Sequence, residues 1–343
     1  MTAATAAERF RPHFEKVAGG NSLNEAEAAA AYDAIMEGGI AEVQLAGFLV
    51  AMKARGETVD EITGAVRAMR SKMRKLNAPA GAIDIVGTGG DAKGTYNIST
   101  ASAFVLAGAG VPVAKHGNRA VSSKSGAADV LESLGVDLGM TPEKAELCLK
   151  EAGVAFLFAP TYHPAMRHAA PVRQGLKLRT IFNLLGPLAN PAETKRQIIG
   201  VFSDAWVVPL AEVMRRLGAE HIWVAHGHDG LDELSTTGTT HVAELKDGKI
   251  REFTVEPGDA GVAQVKLADI LCGPASESAV AINNLFSGGK GPFRDIVLLN
   301  SAAAFIVAGK ASSLAEGAKL AAASIDEGKA AAALEKLIAL SKA

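Results

Sequence analysis

The sequence predicts an α/β fold, in which a small all-helical N-terminal domain precedes a large α/β domain with a mostly parallel central sheet flanked by helices. Before Pro79, apolar residues recur at helical spacing and there is no anion-binding signal. After Gly81, short apolar runs alternate with longer helical segments, which is typical of a parallel sheet covered on both faces. We therefore expect residues 1–78 to form the helical domain and residues 79–343 the α/β domain.

Helix-start signals and apolar stripes characterise the first domain. Ser22 with Glu25, and Thr58 with Glu61, have the spacing of capping boxes. The second box is followed by a stripe made of Val59, Ile62, Val66, Met69, Met73 and Leu76. Another apolar set is wide for so small a bundle, so we expect part of it to contact a second subunit in a homodimer. This set consists of Ile40, Val43, Phe48, Leu49 and Met52.

The second domain is predicted from its alternating elements. The expected strands are Ala82 to Val86, Val111 to Ala114, Val154 to Phe158, Gln197 to Phe202 and His221 to Ala225. The expected helices are Ile98 to Ala109, Lys124 to Leu134, Thr141 to Ala152 and Trp206 to Leu217. We expect antiparallel strands within Lys246 to Leu271, and alanine-rich helices from Leu298 onward.

Charge and cysteine content argue against several classes of function. A formal net charge of -2 over 343 residues provides no basic surface for nucleic acid. The isolated Cys148 and Cys272 are too few for a disulfide framework or a zinc site, which favours a reducing compartment. The sequence has neither a signal-peptide pattern nor an apolar run of about 18 residues, so we expect a cytoplasmic protein that does not bind membranes.

The most informative segment runs from Gly87 to Thr100, between a predicted strand and a predicted helix. Its glycines let the backbone approach an anion closely, and Thr95, Asn97 and Ser99 place polar groups at the start of the helix. The segment matches neither the dinucleotide-binding fingerprint nor the Walker A motif. We therefore predict a site for a different kind of phosphate ligand.

Two further segments carry charge. The loop from Lys115 to Gly126 follows the next predicted strand, and its cations, glycines and serines suit a polyanion. Asp232 and Glu233 are adjacent carboxylates in a glycine-bounded turn. Because Mg²⁺ takes one or two carboxylates together with substrate phosphates and water, we predict a magnesium site at this turn. Acidic turns are common, so the prediction depends on the two anion-binding loops.

Together these segments resemble the anthranilate phosphoribosyltransferase family, which joins anthranilate to phosphoribosyl pyrophosphate in tryptophan biosynthesis. The specific motifs are Gly87-Thr88-Gly89-Gly90-Asp91 and Lys115-His116-Gly117-Asn118-Arg119. The resemblance covers nearly the whole chain, and it extends to Tyr162 to Met166, Arg179 to Pro191, and Arg294 to Asn300. It implies a magnesium-dependent glycosyltransferase with a nucleoside phosphorylase-like fold. It also implies a dimer contact on the helical domain, with part of 165–190 packed on that domain, and an active site in the cleft between the domains.

The family pattern implies three sets of ligand contacts in this chain. For phosphoribosyl pyrophosphate they are Gly87, Gly90, Asp91, Thr95, Asn97, Ile98, Ser99, Thr100, Lys115, His116, Gly117, Asn118, Arg119, Ala120, Val121, Ser122, Ser123 and Ala127. For anthranilate they are Gly87, His116, Asn118, Tyr162, His163, Arg173, Gly186 and Pro187. For Mg²⁺ they are Ser99, Asp232 and Glu233. Lys115, Arg119 and His116 are the electrostatic candidates for catalysis, and no side chain has the paired base that a covalent nucleophile requires.

The chain departs from the family pattern in two places. Ala120 and Ala127 stand where serines are expected, so backbone N–H groups would have to replace two hydroxyls. The turn from Leu271 to Pro274 replaces one richer in glycine and acidic residues. We interpret both departures as changes of affinity, because the charged and metal-binding positions are present.

Two other functions remain compatible with this architecture. A pyrimidine nucleoside phosphorylase also handles ribose and phosphate, but the Lys115 to Asn118 motif and the Asp232-Glu233 pair favour pyrophosphate. A phosphorolysis assay separates the two. A nucleic-acid-binding relative would show degraded loops and a basic surface, and a gel shift with single-stranded DNA tests it.

Overall fold

The computed structural model describes residues 4–91, 93–120 and 125–343. It confirms the predicted fold class, since a helical unit accompanies an α/β unit with a mostly parallel sheet. The first unit comprises Met1–Arg74 and Pro160–Pro191, and the second comprises Lys75–Ala159 and Ala192–Ala343. Among the described residues, no helix has the length and apolar character needed to cross a membrane.

The helices and strands follow one another along the chain with short connections. They are α1 Ala6–Ala18, α2 Glu25–Glu37, α3 Glu42–Arg55, α4 Val59–Lys72, β1 Ile83–Gly87, α5 Ile98–Gly108, β2 Val113–Gly117, α6 Ala127–Ser133, α7 Pro142–Ala152, β3 Val154–Phe158, α8 Ala159–Tyr162, α9 Ala170–Leu176, α10 Phe182–Leu188, β4 Arg196–Gly200, α11 Val207–Arg216, β5 His221–Gly227, β6 Thr240–Lys246, β7 Lys249–Val255, α12 Ala275–Phe286, α13 Pro292–Val307, α14 Leu314–Asp326 and α15 Lys329–Lys342. Among the described residues, 3₁₀ turns lie at Pro164–His168, Asp204–Trp206, Pro257–Ala260 and Leu267–Ile270.

Side-chain caps define the helix starts in the first unit. Thr58 and Glu61 form the predicted capping box at the start of α4. The predicted box of Ser22 with Glu25 is wrong, because Asn24 caps α2 and its side chain accepts a hydrogen bond from the Glu27 N–H. The start of α2 is therefore two residues later than predicted.

The segment 160–191 belongs to the helical unit although it is distant in sequence. The Phe182 ring contacts the Tyr32 ring edge-on at 5.8 Å, which brings α10 against α2. The Arg70 guanidinium donates to the Leu188 carbonyl at 2.6 Å. Segment 160–191 thus packs on α2 through an aromatic contact and on α4 through a hydrogen bond.

Most of the apolar set that was expected to contact a second subunit is not on the surface. Phe48, Leu49 and Met52 are fully buried inside the unit. The Phe48 ring packs against the Phe10 ring at 5.1 Å, so α1 covers this apolar face of α3. The exposed apolar residue of the set is Val43, at 78% exposure.

Within the described residues, seven strands of the second unit form one sheet in the order β3-β2-β1-β4-β5-β6-β7. The first five strands are mutually parallel, and β6 and β7 complete the sheet in antiparallel fashion. The strand order reverses at β1, which pairs with β2 on one side and β4 on the other. Ligands of open α/β sheets bind at such a reversal, beyond the carboxyl ends of the strands.

The five parallel strands and the helices between them occur where the sequence predicts them, with ends shifted by a few residues. Lys124, the predicted first residue of one helix, lies outside the described residues, and α6 begins at Ala127. The prediction for Lys246 to Leu271 is only partly right. The antiparallel pair forms earlier, as β6 and β7, whereas the rest of that segment consists mainly of irregular backbone and two 3₁₀ turns.

Candidate active site

The first glycine-rich loop leaves β1 at the strand-order reversal. Gly87 at the end of β1 pairs with Gly200 at the end of β4. A Cβ atom on either glycine would overlap Asp232, on its carboxylate at Gly87 and on its carbonyl at Gly200. The two bare backbones therefore admit Asp232 to the carboxyl edge of the sheet, where the Gly89 N–H donates to its Oδ2 at 2.6 Å.

Three carboxyl groups crowd this edge. The carboxyl of Asp91 is hydrogen-bonded to that of Asp232, and burial raises the pKa of Asp91. Burial, reinforced by the charge of Asp91, raises the pKa of Asp232 to about 7. Burial and the charge of Asp232 raise the pKa of Glu233 to about 8. Such a cluster favours binding of either protons or a cation.

A buried lysine lies against the same cluster. Lys115 on β2 donates from Nζ to the Ile85 carbonyl at 2.7 Å and to the Ser99 hydroxyl at 3.2 Å. The Ser99 N–H, in the first turn of α5, donates to Glu233 Oε1 at 3.2 Å. Burial lowers the pKa of the Lys115 ammonium, and the nearby charge of Asp84 is the largest effect that opposes the shift. Ser99 therefore connects the Lys115 ammonium to the Glu233 carboxylate.

The predicted magnesium residues Ser99, Asp232 and Glu233 are brought together. Across residues 4–91, 93–120 and 125–343, no three His, Cys, Asp or Glu side chains are arranged to hold a metal ion by themselves. Two buried carboxylates and one hydroxyl fit a hard cation that takes further oxygens from a phosphate ligand and water, which is the usual behaviour of Mg²⁺.

The first loop is anchored at its far end as well. The Asn97 N–H donates to the Ser278 hydroxyl at 3.1 Å, and Asn97 Oδ1 accepts from the Ser125 hydroxyl at 2.8 Å. Thr95 forms an antiparallel bridge with Leu271, in the turn that departs from the family pattern. Ile98 is buried at the start of α5, and the buried Thr100 hydroxyl has no hydrogen-bond partner in the described chain.

In the second loop, Arg119 is engaged within the chain. Its guanidinium pairs with Asp129 at 3.0 Å and Glu132 at 2.8 Å, and lies 5.8 Å from the centre of the Phe158 ring. These pairs are half exposed, and exposed ion pairs are weak enough to be exchanged for a phosphate contact. The Asn118 side chain accepts from the Arg119 N–H at 2.8 Å. Val121, Ser122 and Ser123 lie outside the described residues.

The Ala120 N–H is engaged by a carboxylate of the chain. The Ala120 N–H and the Gly126 N–H both donate to Asp129 Oδ2, at 3.0 and 2.9 Å. Although burial opposes the shift, these hydrogen bonds help to lower the pKa of Asp129. To replace a missing hydroxyl on a phosphate, the Ala120 N–H would have to leave the Asp129 carboxylate. Ala127 begins α6 and its methyl lies close to Gly117.

The predicted anthranilate residues Tyr162, His163, Arg173, Gly186 and Pro187 belong to the first unit. Arg173 on α9 lies 5.3 Å from the centre of the Phe182 ring, and burial lowers its pKa. In the described part of the chain no acidic side chain pairs with Arg173. Burial lowers the pKa of His163 to about 4, so this histidine is neutral. Tyr162, His163 and Pro187 are buried, and Gly186 precedes Pro187 in α10.

Several residues that shape the site were missed by sequence reasoning. Gly200 has a detectable signal, a glycine ending an apolar strand, but its importance depends on the pairing with Gly87. Asp84 is a fully buried carboxylate on β1, and it accepts from the His116 N–H at 3.2 Å. Asp129 and Asn300 act through backbone contacts that have no local sequence signature.

The chain matches two family models. Residues 80–331 match the glycosyl transferase family α/β domain, and residues 11–73 match the glycosyl transferase family helical bundle domain. A Rhizobium johnstonii protein named anthranilate phosphoribosyltransferase is 57% identical, over 97% of this chain and 98% of that protein.

Solved structures agree with this relationship. A Thermus thermophilus anthranilate phosphoribosyltransferase superposes with a TM-score of 0.91 at 45% identity, covering 96% of this chain and 99% of the other. A Saccharomyces cerevisiae anthranilate phosphoribosyltransferase in complex with phosphoribosyl pyrophosphate and magnesium has a TM-score of 0.89 at 27% identity, covering 97% and 98% of the two chains.

Proposed function

The chain belongs to the anthranilate phosphoribosyltransferase family, and we propose that it transfers the phosphoribosyl group of phosphoribosyl pyrophosphate to the amine of anthranilate, releasing pyrophosphate. The observation that carries this proposal is the buried cluster of Asp232 and Glu233 between the ends of β1 and β4, beside Lys115. A divalent cation would neutralise these two carboxylates, and together with Lys115 it would leave a net positive charge to receive a polyphosphate.

The phosphoribosyl pyrophosphate site is formed by the first and second loops. The buried hydroxyl of Thr100, which lacks a hydrogen-bond partner in the described chain, is available to a phosphate oxygen at the start of α5. Lys115 is held at the base of the loops by the Ile85 carbonyl, so its charge is fixed before the substrate binds. The full set is the one inferred from the family motifs, of which residues 121–123 lie outside the described residues.

Catalysis in this proposal is electrostatic. Mg²⁺ held by Ser99, Asp232 and Glu233 would supply positive charge to the departing pyrophosphate. Lys115 adds a second positive charge, and a preorganised charge stabilises the charge that develops as the bond to ribose breaks. An aromatic amine is unprotonated at neutral pH, so positioning suffices and no strong base is required. The reaction then proceeds through an oxocarbenium-like centre without a covalent intermediate. The bond from ribose C1 to pyrophosphate breaks, the bond from C1 to the amine nitrogen forms, and the amine proton passes to water or to the departing pyrophosphate.

Arg173 is the proposed contact for the anthranilate carboxylate. A planar guanidinium matches a carboxylate in a two-point contact. Arg173 is half-buried, and no acidic residue of the described chain neutralises it. The acidic partner would therefore come from a ligand.

We further propose that the protein is a homodimer through the helical unit. Val43 and Val50 are 78% and 41% exposed, and their spacing of seven residues places them on one face of α3. Exposed apolar residues on one helix face are typical of a protein interface. The buried Phe48 takes no part in this interface.

The activity is tested by following anthranilate fluorescence in a mixture of the protein, phosphoribosyl pyrophosphate and Mg²⁺. We expect the fluorescence to disappear, and to persist when either the phosphorylated substrate or Mg²⁺ is omitted. Persistent fluorescence in the complete mixture would contradict the proposal. A parallel phosphorolysis assay with pyrimidine nucleosides should show no release of base.

A further inference from the structure

The carboxylates of the proposed magnesium site lie on irregular backbone. Asp232 and Glu233 belong to the connection between β5, which ends at Gly227, and β6, which begins at Thr240. Neither a helical nor a strand hydrogen-bond pattern is assigned to residues 231–239. The Gly89 and Ser99 N–H groups bind the two carboxylates directly, and the position of their backbone depends on further contacts to the connection.

One buried amide makes such a contact. Asn300, on α13, is completely buried, and its Oδ1 accepts from the Leu234 N–H at 3.0 Å. Its Nδ2 donates to the Leu234 carbonyl at 2.8 Å and to the Ile296 carbonyl at 2.9 Å. The orientation of the amide is unambiguous, because an N–H can only donate and a carbonyl can only accept. Asn300 on α13 therefore hydrogen-bonds both backbone polar groups of Leu234.

We propose that Asn300 is a positioning residue for the magnesium site, acting through Leu234, the residue that follows Glu233. This inference rests on the proposed function, since it assumes that Asp232 and Glu233 bind the metal. Asn300 touches neither substrate nor metal. It fixes the distance between the carboxylates and the rigid α13, and a metal site that is preformed pays less ordering entropy on binding.

The other contacts of the connection do not replace this one. Asp229 accepts from the hydroxyls of Ser235 and Thr237, at 2.7 and 2.5 Å, and these bonds lie within the connection itself. They set its shape but leave its position relative to α13 undetermined. Gly200 provides room for the Asp232 backbone, which permits the arrangement without holding it. The Ser99 N–H of α5 binds the Glu233 carboxylate, and the Val265 N–H donates to the Thr236 carbonyl at 3.0 Å. Asn300 differs from these contacts in tying the backbone next to Glu233 to α13.

The test variant is Asn300→Ser. A serine hydroxyl can donate to the carbonyl four residues earlier, at Ile296, but it is too short to hold Leu234. The matched control is Ser301→Ala on the same helix, because Ser301 is buried and its hydroxyl makes no hydrogen bond in the described chain. The two variants separate loss of the Leu234 contact from disturbance of α13.

The readout is Mn²⁺ binding, measured by electron paramagnetic resonance with phosphoribosyl pyrophosphate present and anthranilate absent. We expect Asn300→Ser to raise the Mn²⁺ dissociation constant about tenfold or more, the scale of one or two buried hydrogen bonds. Ser301→Ala should leave it unchanged. A folded Asn300→Ser variant with unchanged Mn²⁺ affinity would overturn the inference, even if its stability were reduced.

Two further measurements cover the case of an unfolded variant and separate this inference from the metal assignment. If Asn300→Ser does not fold, hydrogen exchange of the unmodified protein decides: the Leu234 amide should be as protected as the amides of α13, and rapid exchange there overturns the inference. Asp232→Asn must itself weaken Mn²⁺ binding. If it does not, the metal assignment of the proposed function fails together with this inference. If it does while Asn300→Ser does not, the inference alone fails.

Discussion

The two candidate substrate regions have opposite electrostatic deficits. At the carboxyl edge of the sheet, the buried carboxyls of Asp232 and Glu233 act on the buried ammonium of Lys115, and Asp91 lies against Asp232. In the helical unit, Arg173 is a cation with no acidic partner in the described chain, supported only by the Phe182 ring. The first region is incomplete without a cation, and the second without an anion. Each deficit specifies the charge of the ligand that would remove it.

The largest effect is expected in the acidic region. Asp232→Asn or Glu233→Gln should leave the fold intact and reduce Mg²⁺-dependent turnover at limiting Mg²⁺ by at least tenfold, and by about 10²–10³ if one full electrostatic contact is lost. Glu335→Gln, on the exposed face of α15, is the matched control and should have no effect. The measurement is initial rate against Mg²⁺ concentration. Unchanged turnover at limiting Mg²⁺ would remove these residues from the metal site.

The next effect concerns the cationic region. Arg173→Ala should raise the KM for anthranilate about 10- to 100-fold, the scale of hydrogen bonds to a charged group, with little change in the KM for phosphoribosyl pyrophosphate. Arg167→Ala, in the neighbouring 3₁₀ turn and exposed, is the control. If both KM values rose together in Arg173→Ala, the guanidinium would be structural. Arg173 would then no longer indicate an anionic ligand in the helical unit.

The acidic region should also impose a pH dependence on stability when Mg²⁺ is absent. The pKa of Asp232 is raised to about 7 and that of Glu233 to about 8, so the folded protein holds protons that the unfolded chain releases near pH 4. This contribution to stability is complete below pH 4 and is lost as pH rises towards 8. Between pH 5.5 and 8.5, the melting temperature of the unmodified protein should fall by roughly 2–5 °C more than that of Asp232→Asn.

Added Mg²⁺ should cancel this loss of stability at high pH. A bound cation replaces the protons, so saturating Mg²⁺ should remove the difference between the unmodified protein and Asp232→Asn above pH 8. Parallel melting curves of the two proteins at every pH without Mg²⁺ would mean that Asp232 titrates normally. Mg²⁺ affinity should fall below pH 7 for the same reason, because protons then compete for the carboxylates.

The regions also differ in how far the sequence predicts them. The glycine loop after β1 and the acidic turn are local patterns, and both were recognisable without a structure. Their contact was not, because it depends on the register that pairs Gly87 with Gly200 and on the backbone path that brings Asp232 between them. Pairing between distant strands is a property of the folded sheet, and a single sequence contains no local signal for it.

The helical unit shows the same limit in another form. Periodicity correctly identified an apolar face containing Phe48, but it could not identify what covers that face. Helices α1 and α2 do so, through the contacts of the Phe10 and Tyr32 rings with the Phe48 ring. A covered face and a dimer face have the same pattern in the sequence, and only the structure separates them.

The smallest effect on folding tests the proposed dimer. Val43→Glu changes a residue that is 78% exposed, so the free energy of unfolding of the isolated chain should change by no more than about 0.5 kcal/mol. Phe48→Ala, in contrast, removes a fully buried ring and should destabilise the unit by about 3–5 kcal/mol.

If α3 forms the interface, Val43→Glu shifts the sedimentation equilibrium towards monomer. Each subunit then keeps its metal site, because Asp232 and Glu233 belong to the other unit. A dimer that survives Val43→Glu and Val50→Glu together would place the interface elsewhere, and a monomeric unmodified protein would refute it.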